Sequence, residues 1–122
     1  CLHCGKCKAA CPMTGSGMDC LSAVTQKKGE LTPEEAAYIR KYGSAWGCDI
    51  CQTSCPLVRR VTERGTKTPI EFFCRDRISM LTIERVNEMS DEEFASRAFS
   101  WRGRKTILRN LALFEGQSGK NE

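Results

Sequence analysis

Nine cysteines are the residues of this chain whose type and spacing could do chemistry: Cys1, Cys4, Cys7, Cys11, Cys20, Cys48, Cys51, Cys55 and Cys74. Eight of them fall in the first 55 of 122 residues. A thiolate is a soft anionic ligand, so cysteines crowded at gaps of two and three residues point to metal binding. The odd count argues against a closed disulfide framework, and no signal peptide is visible that would send the chain to an oxidising compartment. The chain opens on Cys1 without an initiator Met. With a ligand at its very start, it is expected to be a piece of a longer polypeptide.

The run Cys1-x2-Cys4-x2-Cys7-x3-Cys11-Pro12 is that of bacterial two-cluster ferredoxins, where three thiolates hold one [4Fe–4S] cube and the fourth crosses to the other. Gaps of two residues curl the backbone round a cube, the x3 step directs the last thiolate away, and Pro12 could open a helix at N1, where no N–H donor is needed. An incomplete copy stands at Cys48-x2-Cys51-x3-Cys55-Pro56. Shifting the first run by 44 positions sets Cys4 on Cys48, Cys7 on Cys51 and Cys11 on Cys55, but Cys1 on Ala45. Cys20 is the replacement ligand. The crossing rule then predicts cluster one on Cys1, Cys4, Cys7 and Cys55, and cluster two on Cys11, Cys20, Cys48 and Cys51. Cys74, in Phe72-Phe73-Cys74, is left over and reads as a free buried thiol. Two Cys4 zinc sites could use the same eight thiolates, but three cysteines at x2-x2 crowd one metal from one side, which favours iron and sulfide.

Composition agrees that the core needs help. Leu, Ile, Val and Phe number 23, or 19% of the chain, and a domain this small with so few aliphatic residues is usually held by metals, disulfides or a partner. No apolar run is long enough to span a membrane, so no membrane partner and a cytoplasmic location are expected.

The elements that must position these ligands are short. The fold class predicted is mainly α with irregular loops: a two-[4Fe–4S] ferredoxin-like domain over residues 1–56, then a helical, basic C-terminal extension over 57–122 packed on it. Thr32, Pro33 and Glu35 mark a helix with a capping box, stopped at Gly43, that spans the gap from Cys20 to Cys48. Gly65 and Pro69 punctuate a basic stretch (Arg59, Arg60, Arg64, Lys67) that reads as irregular. Residues 70–87 favour a helix for part of their length, with a strand over 78–83 as the alternative. Ser90 and Glu93 predict a second capping box, stapled by Met89 and Phe94, on a helix through about Phe99. A last helix is predicted from about Gly103 to Glu115, with Ile107, Leu108, Leu111 and Phe114 on its apolar stripe. Gly116 ends it, and residues 117–122 read as a frayed tail.

No catalytic constellation is visible. His3, the only histidine, reads as a solvent-facing loop residue. Arg59, Arg60, Arg64 and, above all, Arg102, Arg104, Lys105 and Arg109 are the candidates for gripping RNA, with Trp101 as a stacking platform, against the plainer reading of a solvated face. The chain is expected to carry electrons rather than perform catalysis.

Several segments resemble the double-cluster region of epoxyqueuosine reductases. They are Cys20-Leu21-Ser22 with Thr25, Glu34-Glu35, and Tyr42 with Trp46-Gly47-Cys48-Asp49-Ile50-Cys51-Gln52-Thr53-Ser54-Cys55-Pro56. Leu81, the segment Ser90 to Phe94 and the stretch Arg104 to Leu111 are similar to the part of those proteins that lies C-terminal to the clusters. The resemblance implies cobalamin-dependent enzymes with an N-terminal cobalamin domain and two [4Fe–4S] clusters, which reduce epoxyqueuosine to queuosine in tRNA. It also implies the same eight cluster ligands.

The expected function is an electron relay: two clusters take electrons from a soluble donor of ferredoxin or flavodoxin type and pass them to cobalamin in an upstream domain, with tRNA as a further partner. Three rivals are a free-standing two-cluster ferredoxin, a related reductase of dehalogenase type, and an RNA-binding module with structural clusters. Residues 1–56 carry six basic and five acidic side chains, residues 57–122 thirteen and ten. Eight thiolates and two oxidised cubes would bring the first part to about −3 and leave the second at +3. This predicts an acidic redox end and a basic end.

Overall fold

Helices of ten residues or fewer carry the ordered backbone of the described residues. The computed structural model describes residues 1–116, and the expected C-terminal tail lies outside them. The helices are α1 (Lys6–Ala10), α2 (Leu21–Thr25), α3 (Pro33–Tyr42), α4 (Ile50–Thr53), α5 (Pro56–Glu63), α6 (Ile83–Glu88), α7 (Asp91–Ala95) and α8 (Arg104–Ala112), with 3₁₀ turns at Glu71–Cys74 and Ala98–Arg102. The protein is mainly helical, with no strand among the described residues. The likeness to ferredoxins therefore rests on the cysteine runs.

The chain divides into two interleaved units, Cys1–Met18 with Cys48–Ser79, and Asp19–Gly47 with Met80–Glu122. The boundary expected at residue 56 falls inside the first unit. In that unit α1 packs on α4 and α4 on α5. Its buried apolar side chain is Met13, whereas Leu2, Leu57, Val58, Val61, Ile70, Phe72 and Phe73 are exposed.

The second unit holds the hydrocarbon core. Leu21 and Val24 of α2, Ile39 of α3, Val86 and Met89 at α6, Phe94 of α7, and Ile107 and Leu111 of α8 are buried. α2 packs on α3 and α8, α8 on α6, and both α7 and α8 on the turn Ala98–Arg102. The predicted stripe of α8 is thus partly correct, with Leu108 and Phe114 only half-buried.

Local signals explain the well-placed ends. Thr32 Oγ1 accepts from the Glu35 amide at 3.2 Å while Glu35 Oε2 accepts from the Thr32 amide at 2.8 Å, and Gly43 closes α3 at φ 68°. At α7 only half the expected box forms. Ser90 Oγ accepts from the Glu93 amide at 3.1 Å, but the Glu93 carboxylate turns to Arg85 and Arg97 instead of to the Ser90 amide. Those two guanidiniums, Arg85 first, hold the carboxyl below its ordinary pKa. The helix stops at Ala95 and a 3₁₀ turn replaces the predicted run to Phe99.

Three further expectations are corrected. Pro12 opens no helix; a series of turns comes after it, with Gly15 at φ 77° and Gly17 at φ 74°. The basic stretch after Pro56 is helical through Glu63, because Pro56 at N1 fits the first turn and Arg59 pairs with Glu63 at i,i+4. Residues 78–83 form no strand; Thr82 instead caps α6, its Oγ1 accepting from the Arg85 amide at 3.1 Å.

Candidate metal centre

In the first unit Cys1, Cys4, Cys7 and Cys55 line one cavity of about 510 Å³, together with Leu2, Pro56, Leu57 and Val58. These are the four thiols expected for cluster one. Two left-handed residues curl the chain around it, His3 at φ 51° and Gly5 at φ 74°. Gly5 adopts this conformation without steric cost, whereas a non-glycine there is uncommon and concentrated at functional sites. The turn aims the His3 amide at Cys1 Sγ, 3.4 Å away. His3 is exposed, as predicted, and also lines the cavity, which its sequence context did not reveal.

Cys55 is the N-cap of α5. The main-chain N–H groups of Val58 and then Leu57, at the open start of that helix, lower the pKa of the thiol and favour the thiolate. This is the ordinary chemistry of a helix start, where the first N–H groups have no partner in the helix. Those donors depend on Pro56 at N1, a signal that the sequence carries and that reading the stretch as a loop overlooks.

The remaining expected ligands are distributed. Cys11 ends α1, and Cys48 and Cys51 flank and enter α4, all in the first unit. Cys20 caps α2 in the second. All nine cysteines are free thiols. Cys74 is exposed, its Sγ 3.8 Å from the Thr68 carbonyl. The expectation of a buried thiol fails because the four-residue 3₁₀ turn carrying it buries none of its side chains, the two phenylalanines included. Among the described residues no three His, Cys, Asp or Glu side chains are grouped as a site for a single ion.

The units also redistribute charge. The first holds eight basic residues, six of them in 59–77, and four acidic ones, a formal +4; the second holds eleven of each. Before any cluster is counted, the units thus carry +4 and 0, where the division at residue 56 gives +1 and +3. The arginines of 59–77 share the first unit with seven of the eight expected ligands.

Two of the four RNA candidates near the C-terminus, Arg104 and Arg109, are already occupied. Arg104 donates to the carbonyls of Val86 (2.5 Å), Met89 (2.7 Å) and Ser90 (3.1 Å) and to Asp91 Oδ1 (3.2 Å), with its guanidinium 4.5 Å from the centre of the Phe94 ring. Arg109 donates to the carbonyls of Lys27 (2.7 Å), Gly29 (2.5 Å) and Thr25 (3.4 Å). Lys105 is exposed, and Arg102 lies 3.9 Å over the Trp101 ring.

Comparison with known proteins gives a consistent set of relatives. The chain is 34% identical over 128 residues to the epoxyqueuosine reductase of Bacillus subtilis, covering 93% of this chain and 31% of that protein. It is 34% identical over 125 residues to the epoxyqueuosine reductase of Listeria monocytogenes, with the same coverage of 93% and 31%. An uncharacterized protein in the gldA 3'region of Geobacillus stearothermophilus is 33% identical over 123 residues, 93% of this chain and 55% of that one. The chain thus spans about a third of the length of the curated reductases that it matches. No family model and no solved structure matches it.

Proposed function

Because this chain belongs to the epoxyqueuosine reductase family over the third of its relatives that it spans, we propose that it is the electron-relay part of a reductase of that family, holding two [4Fe–4S] clusters. Its place is a cytoplasmic enzyme that reduces epoxyqueuosine in tRNA. Electrons enter from a soluble donor of ferredoxin or flavodoxin type and leave to cobalamin in a domain that precedes this chain. When bound, the clusters supply one-electron transfer.

The observation that carries this reading is the cavity on which Cys1, Cys4, Cys7 and Cys55 converge. Its donor set fits a cube: four thiols, one for each iron, against a wall of Leu2, Pro56, Leu57 and Val58.

The chain's own residues then have defined tasks. Cys1, Cys4, Cys7 and Cys55 would hold cluster one, and Cys11, Cys20, Cys48 and Cys51 cluster two. The amides of His3, Leu57 and Val58 stabilise negative charge on sulfur, and the net positive charge of the first unit does the same over a longer range. Leu2, Pro56, Leu57 and Val58 form the apolar side of that cavity.

RNA gripping by the C-terminal arginines is the weaker reading, since Arg104 and Arg109 are engaged with main-chain carbonyls. Anaerobic reconstitution and then dithionite reduction test the relay. The chain should absorb broadly in the visible, bleach on reduction and give paramagnetic signals of two interacting clusters. A protein that stays colourless, or one that shows a single isolated cluster, defeats the reading.

A further inference from the structure

Asn110 is fully buried in the second unit and uses every polar atom of its side chain. Its Nδ2 donates to the carbonyls of Thr25 (2.6 Å) and Ala45 (2.8 Å), which lie 85 and 65 residues away in sequence. Its Oδ1 accepts from Arg109 Nε (3.0 Å) and Nη2 (2.8 Å). Thr25, also fully buried, continues the network. Its hydroxyl donates to the Ser22 carbonyl at 2.8 Å and accepts from the Gly47 amide at 3.0 Å.

The segments joined in this way carry meaning in the sequence. Thr25 ends α2, the helix that Cys20 caps. Ala45 is the position at which the second cysteine run lacks the counterpart of Cys1, and Gly47 directly precedes Cys48. Asn110 and Thr25 therefore fasten the helix that offers the substitute thiol to the stretch where the thiol is missing. A buried polar side chain with all its partners in place fixes one register, because any other leaves desolvated groups unpaired. Hydrophobic packing of α2 on α8 alone would permit small slips that these bonds forbid.

We infer that Asn110 and Thr25 are positioning residues for Cys20 as a ligand of the second cluster. They act through the main chain of Thr25, Ala45 and Gly47 and touch neither metal nor sulfide. This inference rests on the two-cluster reading above.

The test is iron content and paramagnetic resonance of the full chain after anaerobic reconstitution. Asn110→Asp keeps the shape and the contact with Arg109 but removes both donations. Thr25→Val keeps the shape but removes the hydroxyl, and Thr25→Ser restores it. Wild type and Thr25→Ser should hold about eight irons, with interacting signals on reduction. Asn110→Asp and Thr25→Val should fall to about four irons and the signal of one isolated cluster. Leu111→Ala is the control: it removes core packing from the same helix, and it should lower stability while retaining both clusters.

Eight irons and interacting signals in both Asn110→Asp and Thr25→Val overturn the inference and leave the two-cluster reading intact. Loss of a cluster in Leu111→Ala equal to that in Thr25→Val also overturns it, by showing that general destabilisation suffices. A wild type that takes up no iron overturns both this inference and the reading beneath it.

Discussion

Arg109 donates to the carbonyl of Lys27 at 2.7 Å, tying α8 to the end of α2 across 82 residues of sequence. The same guanidinium reaches the Gly29 and Thr25 carbonyls and the Asn110 side chain, and burial lowers its pKa from the ordinary arginine value. A planar fork with five donors suits such a set of acceptors, and an ammonium does not. Arg109→Ala should therefore destabilise the protein by about 2–4 kcal/mol, since charged hydrogen bonds are lost and buried acceptors are left unpaired. Arg109→Lys should recover less than half of that in denaturant titration. Equal stability of Arg109→Ala and wild type would return this residue to the solvated surface.

Metal removal should act on one unit far more than on the other. The first unit has Met13 as its buried apolar side chain, while the eight other buried hydrophobic residues lie in the second. Where ligands organise the fold, binding energy and folding energy are linked. Hydrogen exchange of the apoprotein should lose protection in 1–18 and 48–79 and keep it in α3, α6 and α8. Uniform loss along the chain would show that the second unit does not stand on its own core.

The turn between Cys4 and Cys7 depends on Gly5, at φ 74° with no atom within 4 Å of where a Cβ would lie. The cost of a side chain there is therefore conformational rather than a clash. Gly5→Ala should destabilise the reconstituted protein by about 1–2 kcal/mol. Gly5→Asn should cost less, because asparagine visits this region more readily, and Gly5→Val more. Thermal melts of the three holoproteins give the order, and a different order removes the turn from the description of the site.

The capping box of α3 should make part of the stability depend on pH. The Thr32 amide, and after it Lys27, hold the Glu35 carboxyl below its ordinary range against the opposing effect of burial. A carboxyl whose pKa is lowered by folding stabilises fully above its unfolded value and loses that contribution as pH falls through the folded one. Thr32→Ala should cost about 1 kcal/mol at neutral pH. The gap in stability between wild type and Glu35→Gln should close on acidification. A gap that is constant with pH would mean that the charge plays no part.

Most features set by neighbours in the chain were readable from the sequence, and those set by distant residues were not, apart from the placing of Cys55 with Cys1, Cys4 and Cys7. Thr32, Pro33, Glu35 and Gly43 define α3 through contacts within four residues of one another. Ser90 and Glu93 looked the same, but Arg85, eight residues from Glu93, took the carboxylate. Arg104 and Arg109 resemble surface charges in sequence because their acceptors are carbonyls, which every residue carries. Asn110 stands in the sequence only as part of the Arg104 to Leu111 stretch that resembles the reductases, and its structural role is not legible there, since its partners lie 65 and 85 residues away. The helix after Pro56 could have been found: proline at N1 with Arg59 and Glu63 beyond it is a local pattern, and Gly65 and Pro69 mark only where it ends.

Iron and acid-labile sulfide, counted per chain after anaerobic reconstitution and gel filtration, bear most directly on what the cysteines do. Two cubes on eight thiolates require about eight irons and about eight sulfides, unchanged in Cys74→Ala, since Cys74 lies outside both ligand sets. About two zinc ions per chain with no sulfide would contradict the iron–sulfur assignment outright.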